Sequence, residues 1–290
     1  MSSGPTISGA LAQSGLVPLD AQVLLAHVVE KDRAWLIAHA SDPLPREHAE
    51  AFQALARRRH DGEPIAYLTG WREFWGLRLR VSPAVLIPRP ETETLVELAL
   101  SRLPANEDVR VLDLGTGSGA IALAIAHARP RARVLATDVS ADALDVARDN
   151  ARRLGLANVE FARSDWYDGL APESPEGRFH LIASNPPYIA AADSHLDEGD
   201  VRFEPPRALT AGGDGLAALR RIITGARARF VPGGTLVVEH GYDQADAVRA
   251  LFEAAGFGAI VAVRDLAGIP RVVAGIIEPV PAASSPPHRQ

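Results

Sequence analysis

Apolar and polar positions follow two different periods along this chain, and the change of period divides it. Between residues 19 and 60 the apolar positions recur at helical spacing: Leu19, Val23, Leu24, His27 and Val28 in one stretch, then Trp35, Leu36 and Ala40. Asp42-Pro43-Leu44-Pro45 interrupts the pattern, and a third helix is predicted from Arg46 to about His60. Over residues 71–81 the period shortens. Phe74, then Leu77, Leu79 and Val81 alternating with polar positions, predict a short β-hairpin. Ile87-Pro88-Arg89-Pro90 stiffens the chain before a helix predicted at about 91–103, where Pro90 suits the first helical position and Glu91 and Glu93 the acidic-friendly first turn.

From residue 108 strand and helix patterns alternate, as in an α/β domain. Apolar runs at Val109–Leu114, Val134–Thr137, Val159–Ala162, Leu181–Ser184, Thr235–Glu239, Ile260–Val263 and Val272–Ile277 predict seven strands. Helical periodicity falls at about 118–128, 140–154, 214–229 and 243–255. No helical segment separates the last two runs, so the sheet is expected to end in an antiparallel hairpin. The expected organisation is a helical part over 1–70, a hairpin linker over 71–90, the α/β domain over 91–278, and a Pro/Ser/Ala-rich tail over 279–290 expected to be disordered.

The composition, 47% hydrophobic and 23% charged, is that of a globular chain, and 290 residues suggest about two domains. No run approaches the roughly 18 apolar residues of a spanning helix, and the N-terminus lacks the basic and apolar regions of a secretory signal. The absence of cysteine excludes disulfides, thiol nucleophiles and thiolate metal sites. It fits a cytoplasmic location. The formal charge is −6; residues 1–80 hold nine basic and nine acidic side chains, so the whole deficit lies in 81–290. That balance argues against a partner held by broad phosphate neutralisation. Arg57-Arg58-Arg59-His60 offers a small partner patch, but four charges suit a solvated helix C-terminus better.

Chemistry first shows at Asp113-Leu114-Gly115-Thr116-Gly117-Ser118-Gly119, which joins a strand to a helix. Glycines there allow a tight turn and close approach of a ligand to the backbone. Asp138, about twenty residues on, ends the next strand, where a carboxylate can accept the hydrogens of ribose hydroxyls. The spacing G-x-G-x-G departs from the G-x-G-x-x-G of dinucleotide enzymes, with Ala120 after Gly119. Asp113 would disfavour a pyrophosphate and suit a cationic ligand such as S-adenosylmethionine; the alternative is a tight turn with an incidental acid. Asp165-Trp166 after the third strand suits an adenine, or else Trp166 covers the core edge.

The most specific signal is Asn185-Pro186-Pro187-Tyr188 after the fourth strand. Each proline restricts the residue before it, so the turn is stiff and Asn185 is held. Asn185 Oδ1 and the Pro186 carbonyl can accept both hydrogens of a planar –NH₂ group, and Tyr188 can lie against its flat face. An amide or aryl amine nitrogen so held can attack a sulfonium methyl, with no metal and no strong base required. Asp193, Ser194 and His195 are adjacent in one loop, which does not suit the relay geometry of a nucleophilic triad.

At these residues the chain resembles the release factor glutamine methyltransferases along nearly its full length. The resemblance rests on GEPIAYLTGWREFWGLRLRV (62–81), LIPRPETETLVELAL (86–100), DLGTGSGAIALAIA (113–126), SNPPYI (184–189), RFEPPRALTAGGDGL (202–216) and EHGYDQ (239–244). The Asn-Pro-Pro-Tyr motif alone is shared with nucleic-acid amino-methyltransferases acting on adenine or guanine, which remain the nearest rival. An NAD-type oxidoreductase is disfavoured by the glycine spacing; a non-catalytic binding module of the same fold is a further alternative. The resemblance implies a helical substrate-docking domain, a β-hairpin, and a seven-stranded class I S-adenosylmethionine-dependent methyltransferase domain of Rossmann-like α/β fold. It implies N5-methylation of the glutamine in the Gly-Gly-Gln motif of class 1 peptide chain release factors; a monomer is expected. Carried over by position, Gly115, Thr116, Gly117, Ser118, Gly119, Asp138, Trp166 and Asn185 would contact the cofactor. Asn185, Pro186, Pro187 and Tyr188 would hold the glutamine amide, with Asn185, Pro186 and Tyr188 carrying the chemistry. Arg89, Pro90 and Glu91 would line the same pocket, in competition with their reading as a helix start. Glu204-Pro205-Pro206 would close over the site, or else form a polar loop before a helix.

Overall fold

A computed structural model describes residues 4–170, 178–193, 196 and 199–277. Ser194, His195 and the tail from 279 lie outside the described residues.

The first part is helical: α1 (Ile7–Gln13), α2 (Pro18–Val29), α3 (Arg33–Ala38), α4 (Arg46–His60) and α5 (Ile65–Thr69). Side-chain caps start two of them. Thr6 Oγ1 accepts from Gly9 N at 3.1 Å, and Asp32 Oδ1 from Trp35 N at 2.7 Å, each cap worth about 1 kcal/mol. Ile7, Leu24, Leu25, Leu36, Leu44, Phe52 and Leu68 make the core of this part. Two details differ from the pattern expected. On α2 the buried stripe is Ala21, Leu24 and Leu25, while Leu19 and His27 face outward. Helices α1 and α5 were not predicted, because seven and five residues are too short to display a period.

The hairpin pairs β1 (Trp71–Phe74) with β2 (Leu77–Arg80). Its two turn residues, Trp75 and Gly76, both adopt positive φ (54° and 68°), the conformation whose twist matches that of the flanking strands. Glu93 Oε1 accepts from Trp75 N at 2.8 Å, so this acid serves the hairpin turn. Phe74, Leu77 and Leu79 are buried in the same core as the following domain. Buried Asn150 fixes the join: its Oδ1 accepts from Arg80 N at 2.7 Å, and its Nδ2 donates to Arg80 O (3.0 Å) and Ser118 O (2.9 Å).

The third part holds α6 (Thr92–Arg102), β3 (Arg110–Leu114), α7 (Ala120–Ala128), β4 (Arg133–Asp138), α8 (Ala141–Arg153), β5 (Val159–Arg163), β6 (Phe179–Ser184), α9 (Ala217–Ala226), β7 (Phe230–Glu239), α10 (Ala245–Ala254), β8 (Phe257–Arg264) and β9 (Pro270–Ile277). The seven strands form one sheet in the order β5-β4-β3-β6-β7-β9-β8, parallel except for β9, which runs against both of its neighbours. This is the seven-stranded α/β methyltransferase fold. Alternate residues of β3 serve opposite faces. Val111 joins the core under α6 and α7, and Leu112 and Leu114 the core under α9 and α10. Strand β7 starts five residues before the expected Thr235, because Pro232-Gly233-Gly234 hides its first turn from an apolar-run reading.

Sheet order fixes where a ligand can sit. From β3 the chain steps outward to β4 and β5, then returns to β6 on the other side of β3. The carboxyl ends of β3 and β6 therefore open a crevice at a topological switch point. Ser184 Oγ donates to Leu114 O at 2.7 Å, which holds the two strand ends together just before Gly115 and Asn185 leave the sheet. No helix among the described residues is long and apolar enough to cross a membrane.

Candidate active site

The turn after β3 is bent by three glycines with positive φ: Gly115 (72°), Gly117 (56°) and Gly119 (87°). The first two face a cleft, with Thr116 and Ser118 between and beside them. Asp138 closes the cleft beside the turn. Its Oδ2 accepts from Gly117 N at 3.0 Å and its Oδ1 from Ser140 N at 2.8 Å, so each carboxylate oxygen keeps a lone pair for a ligand hydroxyl. Trp166, itself at φ 53°, stands over the turn, and a Cβ on Gly115 would come within 3.4 Å of its ring. Asp165 also lines the cleft and is paired with Arg221 at 3.1 Å.

Two residues of this turn act otherwise than expected. Gly119 does not line the cleft. It caps α7, and a Cβ there would stand 2.9 Å from Leu123 Cδ1 and 3.3 Å from Ala147 Cβ, so its smallness serves helix packing. Asp113 is wholly buried behind the turn and does not border the cleft. Its Oδ2 accepts from Thr116 Oγ1 (2.6 Å) and Ala122 N (3.2 Å), tying the glycine turn to the start of α7, while Oδ1 has no partner. Burial pushes its pKa up to about 7, against the two hydrogen bonds. Asp113 thus shapes the loop from beneath.

Across the cleft, Asn185 and Pro187 form the wall opposite the glycine turn. Asn185 Nδ2 donates to Thr92 Oγ1 at 3.0 Å, which leaves Oδ1 as an acceptor for a ligand. Pro186 is buried and does not line the cleft, so its side chain stiffens the turn from within. Tyr188 does not line it either. Its ring packs on the core under α9 and α10, its hydroxyl donates to Glu239 Oε1 at 3.3 Å, and its carbonyl accepts from Gln244 Nε2 at 3.0 Å. Burial and the neighbouring Glu239 carboxylate raise the Tyr188 pKa, so the hydroxyl stays a donor.

The linker supplies a third wall through Val85, Leu86, Pro88 and Arg89. Arg89 is ion-paired with Glu204, whose side chain is fully buried and whose Oε2 also accepts from Ile87 N at 3.2 Å. Burial raises the Glu204 pKa and Arg89 opposes the rise. Pro90 and Glu91 do not line the cleft; they begin the turn that leads into α6, so the helix-start reading accounts for both. Regular helix begins at Thr92, because Thr92, Glu93 and Thr94 each bond back only three residues, to Arg89, Pro90 and Glu91. Glu204 secures the segment 204–208 to the linker, and Pro205, Arg207 and Ala208 of that segment border the cleft.

Sequence reasoning missed Thr92 and Glu239. Thr92 was hidden as an ordinary helix residue. Glu239 carried a signal, a lone carboxylate ending an apolar run parallel to the strand that delivers Asn185. Three of the four residues from Arg57 to His60 hold structural contacts rather than forming a basic footprint. Arg58 pairs with Glu63, Arg59 with Asp20 (2.8 Å) and Asp200 (2.9 Å), and His60 Nε2 lies 2.8 Å from Ser14 O.

Comparison with known proteins extends this picture to the whole chain. Two family models match, the PrmC N-terminal domain over residues 7–70 and the methyltransferase small domain over 92–214. The release factor glutamine methyltransferase of Xylella fastidiosa is 56% identical over 257 residues, spanning 89% of this chain and 92% of that protein. That of Bordetella pertussis is 53% identical over 267 residues, spanning 92% and 97%. A solved methyltransferase from Pyrococcus furiosus, 18% identical, shares the fold with a TM-score of 0.53, over 77% of this chain and 97% of that one. With more than half of its residues identical to relatives matched over nearly their full length, the chain belongs to the release factor glutamine methyltransferase family.

Proposed function

We propose that this chain methylates the side-chain amide nitrogen of a glutamine in class 1 peptide chain release factors, the glutamine of their Gly-Gly-Gln motif, with S-adenosylmethionine as methyl donor. One observation carries the reading: the glycine turn after β3 and Asn185 after β6 line the same cleft, with Asn185 Nδ2 held by Thr92 Oγ1. Relatives matched over almost their full length carry the corresponding name.

The residues present suit that donor. Gly117 has nothing of the protein within 4 Å of where a Cβ would stand, so a ligand can approach the backbone there. Asp138 would hold ribose hydroxyls, Trp166 would cover the adenine, and Gly115, Thr116 and Ser118 would flank the remainder. When bound, S-adenosylmethionine supplies an electrophilic methyl carbon on a sulfonium.

The chain's own task is to prepare the amide. Its nitrogen lone pair is delocalised into the carbonyl, which makes it a poor nucleophile. Asn185 Oδ1 would accept one of its hydrogens, aim the nitrogen and stabilise positive charge as it grows there, and the Pro186 main-chain carbonyl of the same turn would accept the other. Pro187 walls the amide in. Tyr188, anchored to Glu239, backs the turn against the sheet rather than covering the amide. The excess proton can leave to solvent after transfer, so no strong base is needed at the nitrogen.

In this reading residues 1–70 dock the substrate protein, 71–90 link, and 91–278 catalyse, in a cytoplasmic monomer. The test offers methyl-labelled S-adenosylmethionine with a release factor, its Gln→Ala motif variant, DNA and RNA. Label on the release factor glutamine alone is expected. Label on nucleic acid, or equal label on the Gln→Ala variant, would overturn the reading.

A further inference from the structure

Glu239 ends β7 with 1% of its surface exposed, and among the described residues no cation lies within ion-pairing distance of it. A carboxyl kept there at the expense of its hydration needs a purpose. Two side chains lead to it: Thr92, which lines the cleft, and Tyr188, which packs behind it. The Tyr188 hydroxyl donates to its Oε1 at 3.3 Å, while its Oε2 is buried without a hydrogen-bond partner and the nearby Thr92 hydroxyl favours the ionised carboxylate. Thr92 in turn accepts from Asn185 Nδ2 at 3.0 Å. The Tyr188 end of the Asn-Pro-Pro-Tyr turn is thus bonded to this buried acid, and the Asn185 end to Thr92, the hydroxyl that bears on the same acid.

We propose that Glu239 is a positioning residue for amide methylation: through Thr92 it fixes which way the Asn185 side chain faces, and through Tyr188 it anchors the far end of the same turn. The inference rests on the reading of this site as an amide methyltransferase. Its physical basis is the direction of the hydrogen bonds. Thr92 has a single hydroxyl hydrogen. An ionised carboxylate only accepts, so it draws that hydrogen toward itself and leaves Thr92 Oγ1 as an acceptor for Asn185 Nδ2. Asn185 Oδ1 must then face the cleft. With the Glu239 acceptor gone, the Thr92 hydrogen is free to meet Asn185 Oδ1 in a flipped amide. The flipped side chain turns its NH₂ toward a substrate nitrogen that also has only hydrogens to offer, and the site loses its acceptor.

The groups facing Glu239 are Tyr188 and Thr92, Arg271 on β9, which favours the carboxylate, and Glu91 before α6, which opposes it; His240, next in the chain, is buried and held toward its neutral form. Burial outweighs the rest and pushes Glu239 up to about 7. The acceptor form therefore gains as pH rises through neutrality, and methyl transfer should show an acidic limb there.

The test compares the full chain with E239A, E239Q and T92A in steady-state methylation of a release factor, in calorimetric affinity for S-adenosylmethionine, and in hydrogen exchange of the Asn185 side-chain amide by NMR of the protein alone. For E239A we expect kcat to fall about tenfold or more, cofactor affinity to stay within about twofold, and Asn185 exchange to quicken. E239Q keeps an acceptor oxygen and cannot ionise, so it should recover most of kcat and lose the acidic limb. T92A should match E239A and decides the matter if E239A does not fold. Parental kcat in E239A or T92A, unchanged Asn185 exchange, or an acidic limb retained in E239Q would overturn the proposal. A parent that methylates no release factor would sink the functional reading instead, while Asn185 exchange would still report on Glu239.

Discussion

Arg59 Nη1, on the last turn of α4, stands 2.9 Å from Asp200 Oδ1 across 141 positions of sequence, and its Nε reaches Asp20 of α2 at 2.8 Å. Nearby, Arg202 donates to Asp61 O. The stretch 200–208 thus touches the helical part at one end and the cleft at the other, where Pro205 and Arg207 lie. If the helical part docks the substrate, this join sets its distance from the chemistry. Both ends of the Arg59–Asp200 pair are partly exposed, so its loss should cost no more than about 1 kcal/mol of stability. Asp200→Ala, which leaves the Arg59–Asp20 pair in place, should instead raise KM for the release factor several-fold and leave S-adenosylmethionine affinity unchanged. An unaltered KM would show that the join does not govern docking.

Replacing Asn185 with alanine removes the amide oxygen and leaves the Thr92 hydroxyl without its donor. Turnover should fall by about two to three orders of magnitude, the cost of deleting one oriented transition-state contact. Far-UV circular dichroism and the melting temperature should stay close to the parent's, because Asn185 contributes little to either core. Near-parental turnover in a folded variant would remove Asn185 from its role.

Gly117 and Gly119 should respond differently to alanine. Both have positive φ, which costs roughly 1 kcal/mol with any side chain. At Gly119 the new Cβ also meets Leu123 Cδ1 at 2.9 Å, so G119A should lower the urea midpoint more. At Gly117 the Cβ meets no protein atom, so G117A should fold and lose cofactor affinity, measured by calorimetry. Equal destabilisation with equal affinities would refute the assignment.

Asp113 carries a pH signature. Burial lifts it from an ordinary 3.8 to about 7. Between those values the folded protein holds a proton that the unfolded chain has released, so the contribution of this group to stability falls as pH rises through the window. The amide introduced by Asp113→Asn would be neutral throughout. Urea midpoints of the parent and D113N, taken at about pH 4.5 and about pH 7.5, should shift relative to each other in favour of the variant at the higher pH. A constant difference would mean that Asp113 does not titrate there.

Most elements are legible in the sequence, because burial writes a period into it. Seven apolar runs mark the seven strands, and the Trp75-Gly76 turn lies between the alternating residues of the hairpin. The short helices α1 and α5 were not legible, and neither was the early start of β7, where two glycines and a proline carry no apolar signal. In the cleft, the sequence pointed to Asp138, Trp166 and Asn185 through their places at strand ends, and each does border it.

By itself the sequence determined the order of elements, the glycine turn and the stiff Asn-Pro-Pro-Tyr turn, all of which depend on neighbours within a few residues. The tertiary structure decided which groups stand behind them. Asp113 proved to lie beneath its loop, Gly119 to serve packing, and Tyr188 to point toward Glu239, which is 51 residues away along the chain. The link from Asn185 to Thr92 spans 93 residues. Local conformation follows from adjacent side chains, whereas the direction of a buried hydrogen bond depends on which strands the sheet brings side by side, and that is fixed only when the chain has closed on itself.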